Sequence, residues 1–132
     1  MGDVAECSYQ IIMSTEIIGL STEEREMIAW TVRFNSVPLT VYDELKMKAG
    51  IDRTSYMTVA KMAAILRLAN AMDRSHYQKI RGIKTVLKDR ELQMTVDSNQ
   101  DISLELGLLK DKVEFFEDVF GIGLKLRCKG RA

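Results

Sequence analysis

The chain has 132 residues, is 46% hydrophobic, and balances 19 basic against 19 acidic side chains. A single domain of that length buries roughly two-thirds of the surface its unfolded form exposes, so no disulfide or metal is needed to hold it. Zero net charge excludes a global field steering it to DNA or an anionic membrane, so any anion must meet a local patch.

Cys7 and Cys128 stand far apart, in no CxxC or Cys/His spacing, which suits a reducing cytoplasm and argues against a zinc site. No basic segment followed by an apolar core opens the chain. Lys61 and Arg67 interrupt the longest apolar run before it reaches the roughly 18 residues of a membrane span. The expected location is cytoplasmic, with neither DNA nor membrane among the partners.

In chain order, Val4, Cys7, Ile11 and Ile12 recur at helical spacing from Val4 to about Thr15, and Gly19 offers a stop. Ser21 and Glu24 form a capping box, with Leu20 placed to begin a hydrophobic staple, and the spacing predicts a helix to about Phe34. Glu23, Glu24 and Glu26 read as the solvated first turns of that helix, where acids meet its positive end. Pro38 sits in a connector, and a short helix is expected from Val41 to Ala49, ending at Gly50. From Met57 to Met72 only Thr58, Lys61, Arg67 and Asn70 are not apolar, which predicts a buried central helix running on to about Lys79.

After Gly82 the period changes. Ile83 to Lys88 and Glu91 to Asp97 alternate apolar with polar residues around Asp89-Arg90, a hairpin of two antiparallel strands. Asp101 to Phe120 is amphipathic, with Leu109, Val113, Phe116 and Phe120 on one stripe, and Leu124 to Cys128 is expected as a third strand. The fold class is therefore α+β and mainly helical. A single domain is expected, with a helical part over residues 1–80 and a small β-β-α-β unit over 81–132.

Phosphate-binding glycine loops, GxSxG and HExxH are missing, and lone His76 cannot build a multi-histidine metal cage. The informative polar residues lie on the central helix. Val59, Ala63 and Leu66 share a face that continues into Asn70, Asp73 and Tyr77, with Arg67 and Arg74 along its edge. Charges on a buried stripe must be paired. One reading ties neighbouring elements together through Asp73 and an arginine. The other presents Arg67 and Arg74 as guanidinium forks for a phosphate, oriented by Asn70 and Asp73.

At this helix the chain resembles a known family. Lys61 to His76, KMAAILRLANAMDRSH, closely resembles a stretch of the exopolyphosphatase and guanosine pentaphosphate phosphohydrolase family that typically reads LAAILRLADALDRSH. Ser8 to Ser21, SYQIIMSTEIIGLS, is similar to the family's helix that ends in a Gly-Phe-Ser or Gly-Leu-Ser turn, and Glu23 to Pro38 to the helix ending Arg-Tyr-His-Arg. Ile102 to Glu105, Phe116-Glu117, Phe120-Gly121 and Leu124 to Leu126 resemble the closing helix and last strand.

The resemblance implies the C-terminal helical domain, related to the histidine-aspartate phosphohydrolases. The magnesium-binding actin-like domains that hold the catalytic acids would be absent. No catalytic residue, cofactor or metal ligand is then expected in this chain. The expected partners are a second copy in a homodimer, the actin-like domains, and polyphosphate or guanosine pentaphosphate. Arg33, Arg67 and Arg74 are the candidate anion-binding residues; with Asp73, Ser75 and His76 they match the family pattern.

Cys7, Asn35 and Asn70 stand where relatives carry histidine, histidine and aspartate, and Ser36 and Val37 replace a basic pair. With Asp73, these first three residues form the candidate degenerate site, in which an amide cannot replace a carboxylate ligand. The expected function is a non-catalytic regulatory and dimerisation domain. The alternative is a reduced metal-dependent phosphohydrolase using Asp73 and His76, and a third reading is a remnant that self-associates through exposed apolar stripes.

Overall fold

The computed structural model describes residues 4–129, and side chains from Glu6 onward. Its helices are α1 (Val4–Ser14), α2 (Thr22–Ser36), α3 (Tyr42–Ala49), α4 (Arg53–Met72) and α5 (Ser103–Phe120). Its strands are β1 (Gly82–Lys88), β2 (Glu91–Asp97) and β3 (Gly123–Lys129). The class is α+β and mainly helical. The chain divides into two compact units, Met1–Leu66 and Arg67–Ala132, and the division falls inside α4.

In the first unit Ser21 begins α2 as expected. Its hydroxyl accepts the Glu24 N–H at 3.1 Å, and the Glu24 carboxylate accepts the Ser21 N–H at 2.9 Å, satisfying two donors that a helix start would otherwise leave open. The helix α1 packs antiparallel on α2, since Glu6 meets Arg33, Tyr9 meets Trp30, and the Thr15 carbonyl accepts from Arg25. The packed face of α1 differs from the expected stripe. Cys7 and Ile11 are exposed, and the expected Val4 position lies outside the described side chains. Tyr9 decides the rotation, because its ring sits 4.7 Å from that of Trp30, which in turn stacks on Phe34 at 5.6 Å. Such ring pairs contribute about 0.5–1.5 kcal/mol beyond the area they bury. The core of this unit is Ala29, Trp30, Phe34, Leu45, Tyr56, Val59, Ala60, Ala63 and Ala64.

Gly50, at φ +70°, ends α3 by donating its N–H to the Lys46 carbonyl, and Asp52 starts α4 one turn before Met57 by accepting the Ser55 N–H at 2.7 Å. The sequence pattern missed that cap because polar Asp52 to Ser55 carries no apolar period. The burial of α4 also differs from expectation. Thr58, Lys61, Ile65 and Ala69 form an exposed stripe, so the helix keeps a solvent face despite its apolar composition.

The second unit begins at Arg67, with Leu68 and Ala71 buried. The helix stops at Met72 rather than near Lys79. The Asp73 carbonyl accepts the His76 N–H at 2.9 Å and its carboxylate accepts the Gln78 N–H at 2.8 Å, while His76 and Gln78 adopt left-handed φ values of 62° and 50°. Short polar side chains compete for backbone donors in this way and end helices.

The sheet order is β1-β2-β3, β1 antiparallel and β3 parallel to the central β2. The β1–β2 turn places both Asp89 (φ 52°) and Arg90 (φ 60°) in the left-handed region, as a two-residue hairpin requires. A parallel return demands a crossover, supplied by α5. Leu109 and Phe116 of α5 are buried, as are Met94, Val96 and Leu124 on one face of the sheet. Glu117 closes the crossover by accepting the Leu124 N–H at 2.8 Å.

Candidate functional site

Cys7, Arg33 and Asn35 fall in the first unit; Arg67, Asn70, Asp73 and Arg74 fall in the second. Cys7 is an exposed free thiol on α1. Asn35 is half-buried near the end of α2, and its side-chain oxygen has no hydrogen-bond partner.

Arg33 is held by Glu6 in an ion pair, and it lines a groove of about 410 Å³ with Tyr9, Glu26 and Trp30. Burial raises the Tyr9 phenol above its ordinary value, and the Glu26 and Glu6 carboxylates raise it further against the opposing pull of Arg33. The groove lining carries two carboxylates, Glu6 and Glu26, and two cations, Arg33 and Lys48. Glu26 itself is half-buried and accepts from the Trp30 indole at 3.3 Å, so it is more than a solvated helix-start acid.

On α4, Arg67 lies over the Phe115 ring at 4.1 Å, and burial lowers its guanidinium below the ordinary value. Stacking of this kind uses the guanidinium plane for packing. Asn70 is exposed. Asp73 is engaged by the Gln78 N–H, so its carboxylate closes a turn, and Arg74 in that turn is exposed. Ser75 is half-buried with its hydroxyl unpartnered, and His76 is exposed. Among the described residues, no three His, Cys, Asp or Glu side chains gather where they could hold a metal ion. No helix among them is long and apolar enough to cross a membrane.

Two charged features lay outside the motif. Glu105 on α5 is fully buried, both of its carboxylate oxygens lack a hydrogen bond, and the nearest cation is Lys79 at 3.8 Å. The signal was present in the sequence, since Glu105 precedes Leu109 by four residues on the apolar stripe. The second is the sheet's outer face. The register puts Leu92, Met94, Val96, Leu124 and Leu126 on one face, and leaves Lys84, Val86, Lys88, Glu91, Gln93, Thr95, Asp97, Lys125, Arg127 and Lys129 on the other. All five cations of that outer face are exposed, and none forms an ion pair among the described residues.

No protein-family model matches the chain, and no curated protein matches it.

Proposed function

We propose that this chain is a non-catalytic regulatory and dimerisation domain of an exopolyphosphatase-like protein, contacting polyphosphate through the Asp73-Arg74-Ser75-His76 turn. The observation that carries the reading is the use of Asp73. A carboxylate that accepts the Gln78 N–H at 2.8 Å is committed to the backbone, while Arg74 beside it stays exposed. That division of labour favours an arginine-presenting turn over the alternative phosphohydrolase, in which Asp73 would have to serve a metal. A homodimer belongs to the same proposal and rests on the sequence resemblance. A cytoplasmic location belongs to it on the cysteine usage and the charges that interrupt the longest apolar run.

Titration of the chain with polyphosphate at low and high salt tests it. Binding is expected at low salt, to weaken as salt rises, and to fall in Arg74→Gln. Absence of binding at low salt overturns the polyphosphate contact. Phosphate release with manganese or magnesium that disappears in Asp73→Ala would establish the phosphohydrolase instead.

A further inference from the structure

The outer face of the sheet gathers five exposed cations that form no ion pair among the described residues. Glu91 stands opposite Lys88 and Asp97 opposite Lys129 at its ends, and this layout narrows what the face fits. Lys84 and Lys88 form one row on β1, with exposed Val86 between them; Lys125, Arg127 and Lys129 form a second, unbroken row on β3. With strands about 4.8 Å apart and successive same-face residues about 6.6 Å apart, the rows run side by side roughly 10 Å from each other. Gln93 and Thr95 of β2 lie between them, half-buried and uncharged. The two acids of this face sit at the ends of β2. Asp97 is paired with Arg81 at 3.1 Å, and Glu91 accepts from the Gln93 amide at 3.3 Å. The middle of the face is therefore positive even though the chain as a whole is neutral.

Cations flanking amide and hydroxyl groups are the composition of phosphate and sugar contacts, and a polyanion is their complement. No aromatic side chain lies on this face, which removes the stacking platform that unpaired bases use. The major groove of B-form DNA admits a helix or a two-stranded ribbon, whereas this surface is three strands wide. A-form RNA offers a wide, shallow minor groove bordered by phosphates and lined by 2′-hydroxyls, which a flat face can lie across.

We infer that the open face of the sheet docks double-stranded RNA, its phosphates held by the β1 and β3 cation rows and its 2′-hydroxyls facing Gln93 and Thr95. None of these residues belongs to the turn proposed to meet polyphosphate, so the inference stands apart from that reading.

The test is fluorescence anisotropy of the whole chain with a labelled RNA duplex of about 16 base pairs, long enough to show two successive minor grooves. Binding is expected at 50 mM salt, with affinity falling on the order of 10²–10³-fold by 200 mM, as about five phosphate contacts require. The triple variant Lys125→Gln, Arg127→Gln, Lys129→Gln removes exposed charges only, and its fold is checked by circular dichroism. It should weaken binding at least tenfold and flatten the salt slope by nearly 3. Removing two cations elsewhere, with Lys46→Gln and Lys48→Gln, should change affinity less than about twofold. Failure to bind at 50 mM salt overturns the inference, as does equal loss in the triple variant and the Lys46/Lys48 variant. Tighter binding of single-stranded RNA or duplex DNA than of the RNA duplex overturns it as well.

Discussion

The two units of this chain use charge in opposite ways. In the first, acidic residues outnumber basic ones, and Glu6, Glu26 and Arg33 surround the Tyr9–Trp30 ring pair, where they are tied to one another and to the indole. In the second, basic residues outnumber acidic ones, five cations stand exposed on one sheet face, and Glu105, the one fully buried carboxylate among the described residues, lacks a hydrogen bond. A net charge of zero conceals both arrangements. The contrast teaches that charge is spent on packing where rings and helices meet, and left available where a strand pattern forces alternate residues outward.

The largest effect that would sharpen this contrast comes from Phe34, which is fully buried under Trp30. Phe34→Ala should cost about 3–5 kcal/mol in chemical denaturation. Amide exchange should rise first in α1 and α2; equal loosening of the β2 and β3 amides would break the picture of separately packed units.

Next is Glu105→Leu. Burying a carboxylate without hydrogen bonds is costly, and replacing such a group with an apolar one is often neutral or stabilising by about 1–4 kcal/mol. Lys79 keeps some exposure and donates to the Asp101 carbonyl, so it is not stranded. The variant should be at least as stable as the parent in urea; a clear loss would mean that the Lys79–Glu105 pair stabilises the fold and that the second unit also spends its charge on packing.

Ser21→Ala removes one of the two reciprocal cap bonds of α2 and should cost about 1 kcal/mol, read as a lower thermal midpoint. An unchanged midpoint would show that ring packing alone holds that helix.

The smallest effect concerns Asp52, exposed at the start of α4. The Ser55 backbone N–H, and then the Ser55 hydroxyl, hold its carboxyl below the ordinary value of 3.8. Its contribution is therefore fully present above that value and is lost as pH falls through the lower folded value. Wild type should lose stability more steeply than Asp52→Asn across that acid range, measured as thermal midpoint against pH. Parallel curves would show that this cap does not stabilise the folded state.

Much of the fold was legible because its signals are local. The Ser21–Glu24 box, Gly50 and Gly121, and the alternation on either side of Asp89-Arg90 each depend on residues within a few positions of one another. The errors share one cause, a period read without its partner. Ile11 and Cys7 have helical spacing, yet Tyr9 turns α1 toward Trp30. The stripe through Asn70 and Asp73 assumed a helix that Asp73 itself ends.

Sequence by itself determined the element order, the helical bias, the hairpin and the apolar stripe of α5, because hydrophobic period and turn chemistry act over one or two turns of chain. Only the tertiary structure decided that β3 returns parallel to β2. That single pairing aligns Lys125, Arg127 and Lys129 with Lys84 and Lys88 across a central strand, residues some forty positions apart that no local pattern connects. Register is a long-range property, and here it turns a scatter of lysines into a surface.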